Sequence, residues 1–367
     1  MNSSLAASSP GPASRLVNLL LSIKPLANLA KQRARAMMID RAEAIGVPWR
    51  EHTQQLQSRG GSQTIHLQWD SDLTQLTNPN LVYPDYYVTS FHGYDEGNLG
   101  WLPALEVESA SRAVHAKIWP ELGAKGDSQL RALYHETLTA HLPMPPQHIL
   151  DLGCGAGLST FALQAYFPEA SVTGLDLSPY FLAVAQYQAQ QYQAQQYQAQ
   201  QYQAQQYQAQ QTARPGLQPD SQFNSQPGLQ LDSQVDSKPD SRQPSPTLNW
   251  VHAAAENTGL PDQSFDLISL CLVAHELPQS ATTALFQEAH RLLTPGGHLA
   301  VMDMNPSCEF VQKLPPYVLT LLKSTEPYLD QYFGLDLAEI AEVAGLQMAH
   351  LSPNGPRHRT FIAKKAI

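Results

Sequence analysis

The chain has 367 residues, is 43% hydrophobic and carries a formal net charge of −10. That balance suits a soluble globule and argues against general nucleic-acid binding, which wants a basic surface. Three cysteines, Cys154, Cys271 and Cys308, have neither metal-ligand spacing nor a disulfide framework, so no metal is expected and a reducing, cytoplasmic compartment is the natural setting.

Residues 1–75 form the first region, a basic tail leading into helices. No Asp or Glu precedes Asp40, whereas Arg15, Lys24, Lys31, Arg33 and Arg35 do. A frayed tail followed by a helix is the plain reading. The alternatives are an organellar segment removed from the N-terminus and a basic helix touching a membrane surface. The apolar run "LVNLLLSI" is too short to span a bilayer. Residues 15–57 read as helical, with a break near "GVPW". Within the second region, 76–145, the segment 78–103 is rich in aromatic and turn residues and reads as ordered loop, and 105–142 reads as helix.

From 146 the pattern alternates. "HILDLG" is a buried strand, "LSTFALQAYFP" a helix stopped by Pro168, "SVTGLDL" a second strand, and "PYFLAVA" the start of a second helix. Residues 186–247 interrupt this order. Five pentapeptide copies place Tyr187, Tyr192, Tyr197, Tyr202 and Tyr207 five residues apart. Each step turns a helix about 140° beyond a full turn, so the tyrosines never share a face. The tract is either an extended, solvated helix or a disordered polar segment, and the Pro/Ser/Gln/Asp-rich stretch after it reads as disordered. Function is therefore expected outside it. From 248 to 367 the alternation resumes: "LNWVHA" and "FDLISLCLV" as strands, "ATTALFQEAHRLL" as a helix, "HLAVMDM" as a strand, "LDLAEIAEVAGL" as a helix, and two last strands around "NGPRHR". The expected fold class is α/β, a doubly wound Rossmann-like sheet, mostly parallel with the last strand antiparallel. Ligands of such sheets bind at the carboxyl ends of the strands.

"ILDLGCGAGLST" puts Gly153, Gly155 and Gly157 in the first strand-to-helix turn, where they permit a tight bend and close approach of a ligand to backbone. Dinucleotide folds also use glycine turns there. The spacing G-x-G-x-G differs from theirs, Asp151 beside the glycines would repel a pyrophosphate, and Asp176 ends the next strand, where a carboxylate takes two ribose hydroxyls. A ligand with an ammonium group and a ribose but no phosphate suits this arrangement.

At these residues the chain resembles the class I S-adenosylmethionine-dependent methyltransferases, in particular the small-molecule type similar to the ubiquinone/menaquinone methyltransferases. "LDLGCGAG" and "GLDLSP" look like the family's cofactor motifs, "AAAENTGLPDQSFDLIS" like its "GDAENLPFPDNSFDLV" stretch, and "RLLTPGGHLAVMD" like its "RVLKPGGRLLI" stretch. The resemblance covers 147–185 and 249–303. It implies S-adenosylmethionine as cofactor, held by Asp151, Gly153, Cys154, Gly155, Gly157, Asp176, Leu177, Ala255 and Glu256. Ala254 departs from the pattern, standing where the family usually has an Asp that holds the adenine amino group. The implied reaction is methyl transfer to a small, partly apolar acceptor. A non-catalytic interaction protein on the same fold and a nicotinamide-dependent oxidoreductase are the competing readings.

"LVAHELP" follows the fourth strand, at the rim where the transferred methyl would lie, so His275 and Glu276 are catalytic candidates, with a structural histidine as the plainer alternative for His275. "FHGYDEGNLGW" adds His92 and Tyr94 from a segment that is either a lid over the site or a turn-rich structural loop. "PRHR" is expected to join the last two strands.

Overall fold

The structure, a computed structural model, describes residues 24–59, 68–193 and 247–367. The chain divides into two compact units, one of Met1–Gln186 with Pro246–Ile367 and one of Tyr187–Ser245. The first unit carries the sheet and the site described below.

Its N-terminal part is helical: α1 (Lys24–Ala44), α2 (Trp49–Ser58), α3 (Gln68–Leu76), α4 (Trp101–His115) and α5 (Gly126–His141). Ile39, Ala42, Val47, Trp49 and Ala113 form a small apolar core among α1, α2 and α4. Residues 77–100 form a loop across the site described below.

The alternating part follows: β1 (His148–Leu152), α6 (Leu158–Tyr166), β2 (Ser171–Asp176), α7 (179–193), β3 (Leu248–His252), β4 (Phe265–Cys271), α8 (Gln279–Leu292) and β5 (Leu293–Met304). Three short helices come next, α9 (Glu309–Gln312), α10 (Pro316–Thr325) and α11 (Leu329–Phe333). Then come α12 (Leu337–Val343), β6 (Leu346–Asn354) and β7 (His358–Lys365). The seven strands form one sheet in the order β3-β2-β1-β4-β5-β7-β6. The pairings from β3 to β5 are parallel. β7 runs antiparallel to both β5 and β6.

Side-chain alternation gives the sheet two covered faces. Leu299, Val301, Phe361 and Ala363 pack on one side with Leu285, Phe286 and Ala289 of α8 and Ile340 and Ala341 of α12. Ala300, Met302 and Ile362 pack on the other with Leu130, Tyr134 and Leu138 of α5 and Leu163 of α6. Burial on both faces explains why β1 and β4 are near-continuous apolar runs. From β1 the order runs outward through β2 and β3. From β4 it runs the other way through β5. The crevice at the carboxyl ends of β1 and β4 is therefore the topological switch point, where such sheets bind ligands.

The end of the sheet differs from the sequence reading. His358 and Arg359 belong to β7, paired with Met304 and Asp303 of β5, and the joining turn is only residues 355–357, with Gly355 at φ +72°. Starting the ladder at His358 satisfies backbone groups that a longer loop would leave to solvent.

The repeat beyond residue 193 and the Pro/Ser-rich stretch lie outside the described residues. β3 pairs in register with β2, from Val172↔Leu248 to Asp176↔His252, so the strands on either side of the insertion complete the sheet themselves. Closure entropy grows only by about 0.6 kcal/mol per doubling of loop length. Replacing residues 194–246 with a short Gly/Ser linker is therefore expected to leave the melting temperature within a few degrees of the parent. A protein that no longer folds would make the insertion part of the fold.

Candidate functional site

The glycine turn is built by the sheet beneath it. Gly153 N and Cys154 N both donate to Leu175 O, at 2.8 and 3.0 Å, and Gly155 N donates to Asp176 Oδ2 at 2.8 Å. Gly153, Gly155 and Gly157 all have positive φ, at 69°, 54° and 88°, a region open to glycine at little cost. At Gly153 a Cβ would meet Val273 at 2.7 Å, and at Gly157 it would meet Phe161 at 2.8 Å. At Gly155 it would meet nothing within 4 Å. The backbone there borders open space.

Asp151 is fully buried. Its Oδ2 accepts from Ser159 Oγ and Thr160 Oγ1 at the start of α6, at 2.6 and 2.7 Å, while Oδ1 is buried without a partner. Burial pushes its pKa up to about 6 against those hydroxyls. Asp176 is also buried, and its Oδ1 accepts from Ser178 N at 2.7 Å. Burial raises its pKa despite the amide donors from Ser178 and Gly155. Leu177 is buried, and its carbonyl accepts from His252 Nε2 at 3.0 Å. Ala255 packs on the core beside β3. Glu256 follows it, with Oε2 buried and unpartnered.

The 77–100 segment lies over these residues. Asn78 N donates to His252 Nδ1 at 2.8 Å. Tyr86 OH donates to Glu256 Oε1, and Tyr87 OH to Asp176 Oδ1 at 3.4 Å. The rings of Tyr83 and Tyr87 stack with centroids 6.3 Å apart. Tyrosines of this loop thus touch Asp176, at the end of β2, and Glu256, beyond the end of β3.

The far end of the segment meets the rim beyond β4. Leu272, at φ +62°, turns the chain out of β4 into the short 3-10 turn Ala274–Glu276. His275 Nδ1 lies 2.8 Å from Asp303 Oδ1, and His275 N donates to Asp303 Oδ2 at 3.2 Å. Burial alone would lower the pKa of His275, but the Asp303 carboxylate outweighs it and the value rises to about 10. Burial would likewise raise Asp303, and the imidazolium beside it brings it below its ordinary value. The contact favours the imidazolium–carboxylate form of the pair.

His92 Nε2 lies 2.9 Å from Glu326 Oε1 and 3.5 Å from Glu276 Oε1. Its own backbone sits at φ +49°, a conformation that costs a non-glycine residue on the order of 1–3 kcal/mol and that the surroundings must enforce. Glu276 keeps 23% of its side chain exposed, yet its dense surroundings push its pKa up to about 7. His92 and His275 oppose that rise and Glu326 adds to it. Of the four catalytic candidates, the structure thus brings His92, His275 and Glu276 together.

Tyr94 is elsewhere. Its hydroxyl donates to Glu106 Oε2 at 2.7 Å, and Arg35 Nε donates to the same oxygen at 3.1 Å. This ties the loop to α4 and α1. Tyr94→Phe is expected to cost about 1 kcal/mol, the worth of one hydrogen bond, read as a fall in melting temperature, and to leave the His92–Glu276 cluster intact. Tyr86, Tyr87, Asp303 and Glu326 complete the site without having been singled out from the sequence. The tyrosines are visible there only as part of an aromatic-rich stretch, and Asp303 only as the acid ending a strand.

A model of the methyltransferase domain matches residues 123–360. The chain is similar to the trans-aconitate 2-methyltransferase of Methylobacterium nodulans, with 50% identity over 50 residues, 13% of this chain and 19% of that protein. It is also similar to the phthiotriol/phenolphthiotriol dimycocerosates methyltransferase of Mycobacterium leprae, with 25% identity over 175 residues, 48% of this chain and 44% of that one. The chain thus spans less than half the length of these relatives. Among solved structures, a SAM-dependent methyltransferase from Aquifex aeolicus aligns with 16% identity and a TM-score of 0.41, covering 68% of this chain and 97% of that one.

Proposed function

Because the chain belongs to the methyltransferase-domain family, we propose that it transfers a methyl group from S-adenosylmethionine to a small-molecule acceptor. The observation that carries this reading is the open space over Gly155, bordered by a backbone amide that Asp176 fixes. Two unpartnered buried oxygens support it, Asp151 Oδ1 and Glu256 Oε2. Unsatisfied buried acceptors of this kind ask for a donor, and an ammonium group and an adenine amino group are donors of the right type.

In this reading Asp151 meets the cofactor's ammonium, and Gly153, Cys154, Gly155 and Gly157 line its path. Asp176 takes the ribose hydroxyls with Leu177 alongside, and the Ala255 backbone and Glu256 hold the adenine. Glu256 thereby replaces the carboxylate lost at Ala254. When bound, the cofactor supplies an electrophilic methyl on a sulfonium. Tyr86 and Tyr87 cover the site and exclude water, and the His92–Glu326 contact pins the far end of the cover. Glu276, with its pKa at about 7, accepts the acceptor's proton, since a base works best with a pKa near the operating pH. His275 is too strongly held as an imidazolium to serve as that base, and instead presents a fixed cation at the rim.

The acidic balance keeps nucleic acid out of the proposal. Among the described residues, no helix is long and apolar enough to cross a membrane. The basic N-terminal region is where a peripheral membrane contact would form, and cysteine usage supports a cytoplasmic setting.

The test is a labelled-methyl assay. The protein is incubated with methyl-labelled S-adenosylmethionine and a small-molecule extract, and label is expected in a low-molecular-weight product. Label that never leaves the cofactor, with the cofactor bound, would favour a non-catalytic role for the fold.

A further inference from the structure

β7 enters the sheet at the rim where β5 ends, and its second residue, Arg359, pairs across from Asp303. Phe361 and Ala363 of the same face are buried in the core under α8 and α12, so Arg359 is the point where that face reaches the site. Its guanidinium lies 5.7 Å from the centre of the Tyr332 ring. The same ring meets His275 edge-on, with centroids 6.3 Å apart. One aromatic ring therefore neighbours both Arg359 and His275.

Among the described residues the guanidinium has no ion-pair partner. Its Nε and Nη2 are buried and find no acceptor. Asp303, the nearest carboxylate by register, is already engaged: it faces His275 Nδ1 and accepts from the amides of His275 and Met304. The Tyr332 hydroxyl, whose own proton goes to Met304 O at 2.6 Å, can accept from Arg359 through its oxygen, but it is neutral and leaves the guanidinium's charge unmet. A buried Lys or His in this position could shed its proton, whereas a guanidinium cannot. A half-buried cation with two idle donors is costly unless an anion completes it. The planar fork of arginine fits a carboxylate by two parallel hydrogen bonds. At the reacting end Asp303 already compensates His275, and Glu276 and Glu326 would repel the acceptor's carboxylate, so an anionic acceptor has one orientation in which its charge is met.

Building on the proposed methyl transfer, we propose that Arg359 binds a carboxylate of the methyl acceptor, at the end of that molecule away from the atom that takes the methyl. The substrate class is then a small carboxylic acid presented to Glu276 by its other end. A neutral amide of the same shape would leave the fork unpaired and be rejected.

The probe is acetate, the smallest carboxylate, with acetamide as its neutral isostere. Line broadening of each by the protein alone is followed by NMR, in the parent and in Arg359→Gln, with folding checked by thermal melting. The expected result is saturable broadening of acetate and none of acetamide, with the acetate effect reduced at least tenfold in the variant. Should Arg359→Gln not fold, Arg359→Lys is expected to keep a weakened effect, because the charge stays and the fork is lost. Equal broadening of acetate by the parent and a folded variant overturns the proposal, as does no saturable broadening in the parent. Titration with S-adenosylmethionine on the same samples reads the methyl-transfer proposal separately. Loss of that affinity in the parent defeats methyl transfer whatever acetate does, and acetate failing while the cofactor binds defeats only the role of Arg359.

Discussion

Glu276→Gln is expected to lower kcat by about 10²–10⁴-fold, the usual contribution of a positioned general base, with little change in S-adenosylmethionine affinity. The pH profile carries the sharper information. Because burial lifts the folded-state pKa of Glu276 to about 7, the carboxylate that accepts a proton is mostly protonated below that pH. Parent kcat/KM should therefore rise with pH through about 7, and the residual activity of the Gln variant should lack that limb. The stability sign is opposite to the activity sign. A carboxyl whose pKa is raised on folding favours the native state below its unfolded value of 4.5, and that contribution is lost as pH climbs through 7. Above pH 7 the variant should melt no lower than the parent. His275→Gln makes the comparison informative: it removes the imidazolium but leaves the titrating carboxylate, so the pH-dependent limb should survive. A Glu276→Gln variant with normal turnover would return the cluster to a structural role.

Asp176→Ala is expected to weaken S-adenosylmethionine binding by about 10- to 100-fold, equivalent to roughly 1.5–3 kcal/mol for a lost charged hydrogen bond. Asp176 also holds the amides of Gly155 and Ser178, so part of the loss comes through the turn itself. Asp176→Asn, which keeps an acceptor but not the charge, should fall between the parent and the Ala variant. Gly155→Val attacks the same site from the other side. The open space at its Cβ means that a side chain there starts into the proposed ligand volume, although φ +54° makes any side chain there strained. Isothermal titration calorimetry reads all three. Unchanged affinity in Asp176→Ala and Gly155→Val would remove the cofactor site from the β1–β2 rim.

The β1 turn was legible in the sequence because its signal is local. Three glycines that must take positive φ, an acid at one strand end and an acid at the next all fall within Asp151 to Asp176. The sheet was legible for a related reason, since strands buried on both faces need continuous apolar runs. The cover was only half legible. Aromatic and turn residues mark 78–103 as ordered loop, but which tyrosine reaches which acid depends on pairings such as Tyr86 with Glu256 and Tyr87 with Asp176, which no spacing encodes. The same holds for His275. Its position after β4 was evident, but the upward direction of its pKa depends on Asp303, the acid of a different strand. Tyr94 shows the reverse error: its neighbour His92 reaches the site, while its own hydroxyl turns to Glu106 of α4. The turn-rich "NGPRHR" hides the start of β7, which enters the sheet at His358, three residues before the apolar run Phe361–Ala363 that marks it.

The central claim is that the glycine turn holds S-adenosylmethionine and not a nicotinamide dinucleotide. The most direct measurement is calorimetric titration of the full-length protein with S-adenosylmethionine and, separately, with NADH. The account predicts saturable, one-to-one binding of S-adenosylmethionine and no measurable heat with NADH, whose pyrophosphate would face Asp151 and Asp176. Binding of NADH with no response to S-adenosylmethionine would contradict it.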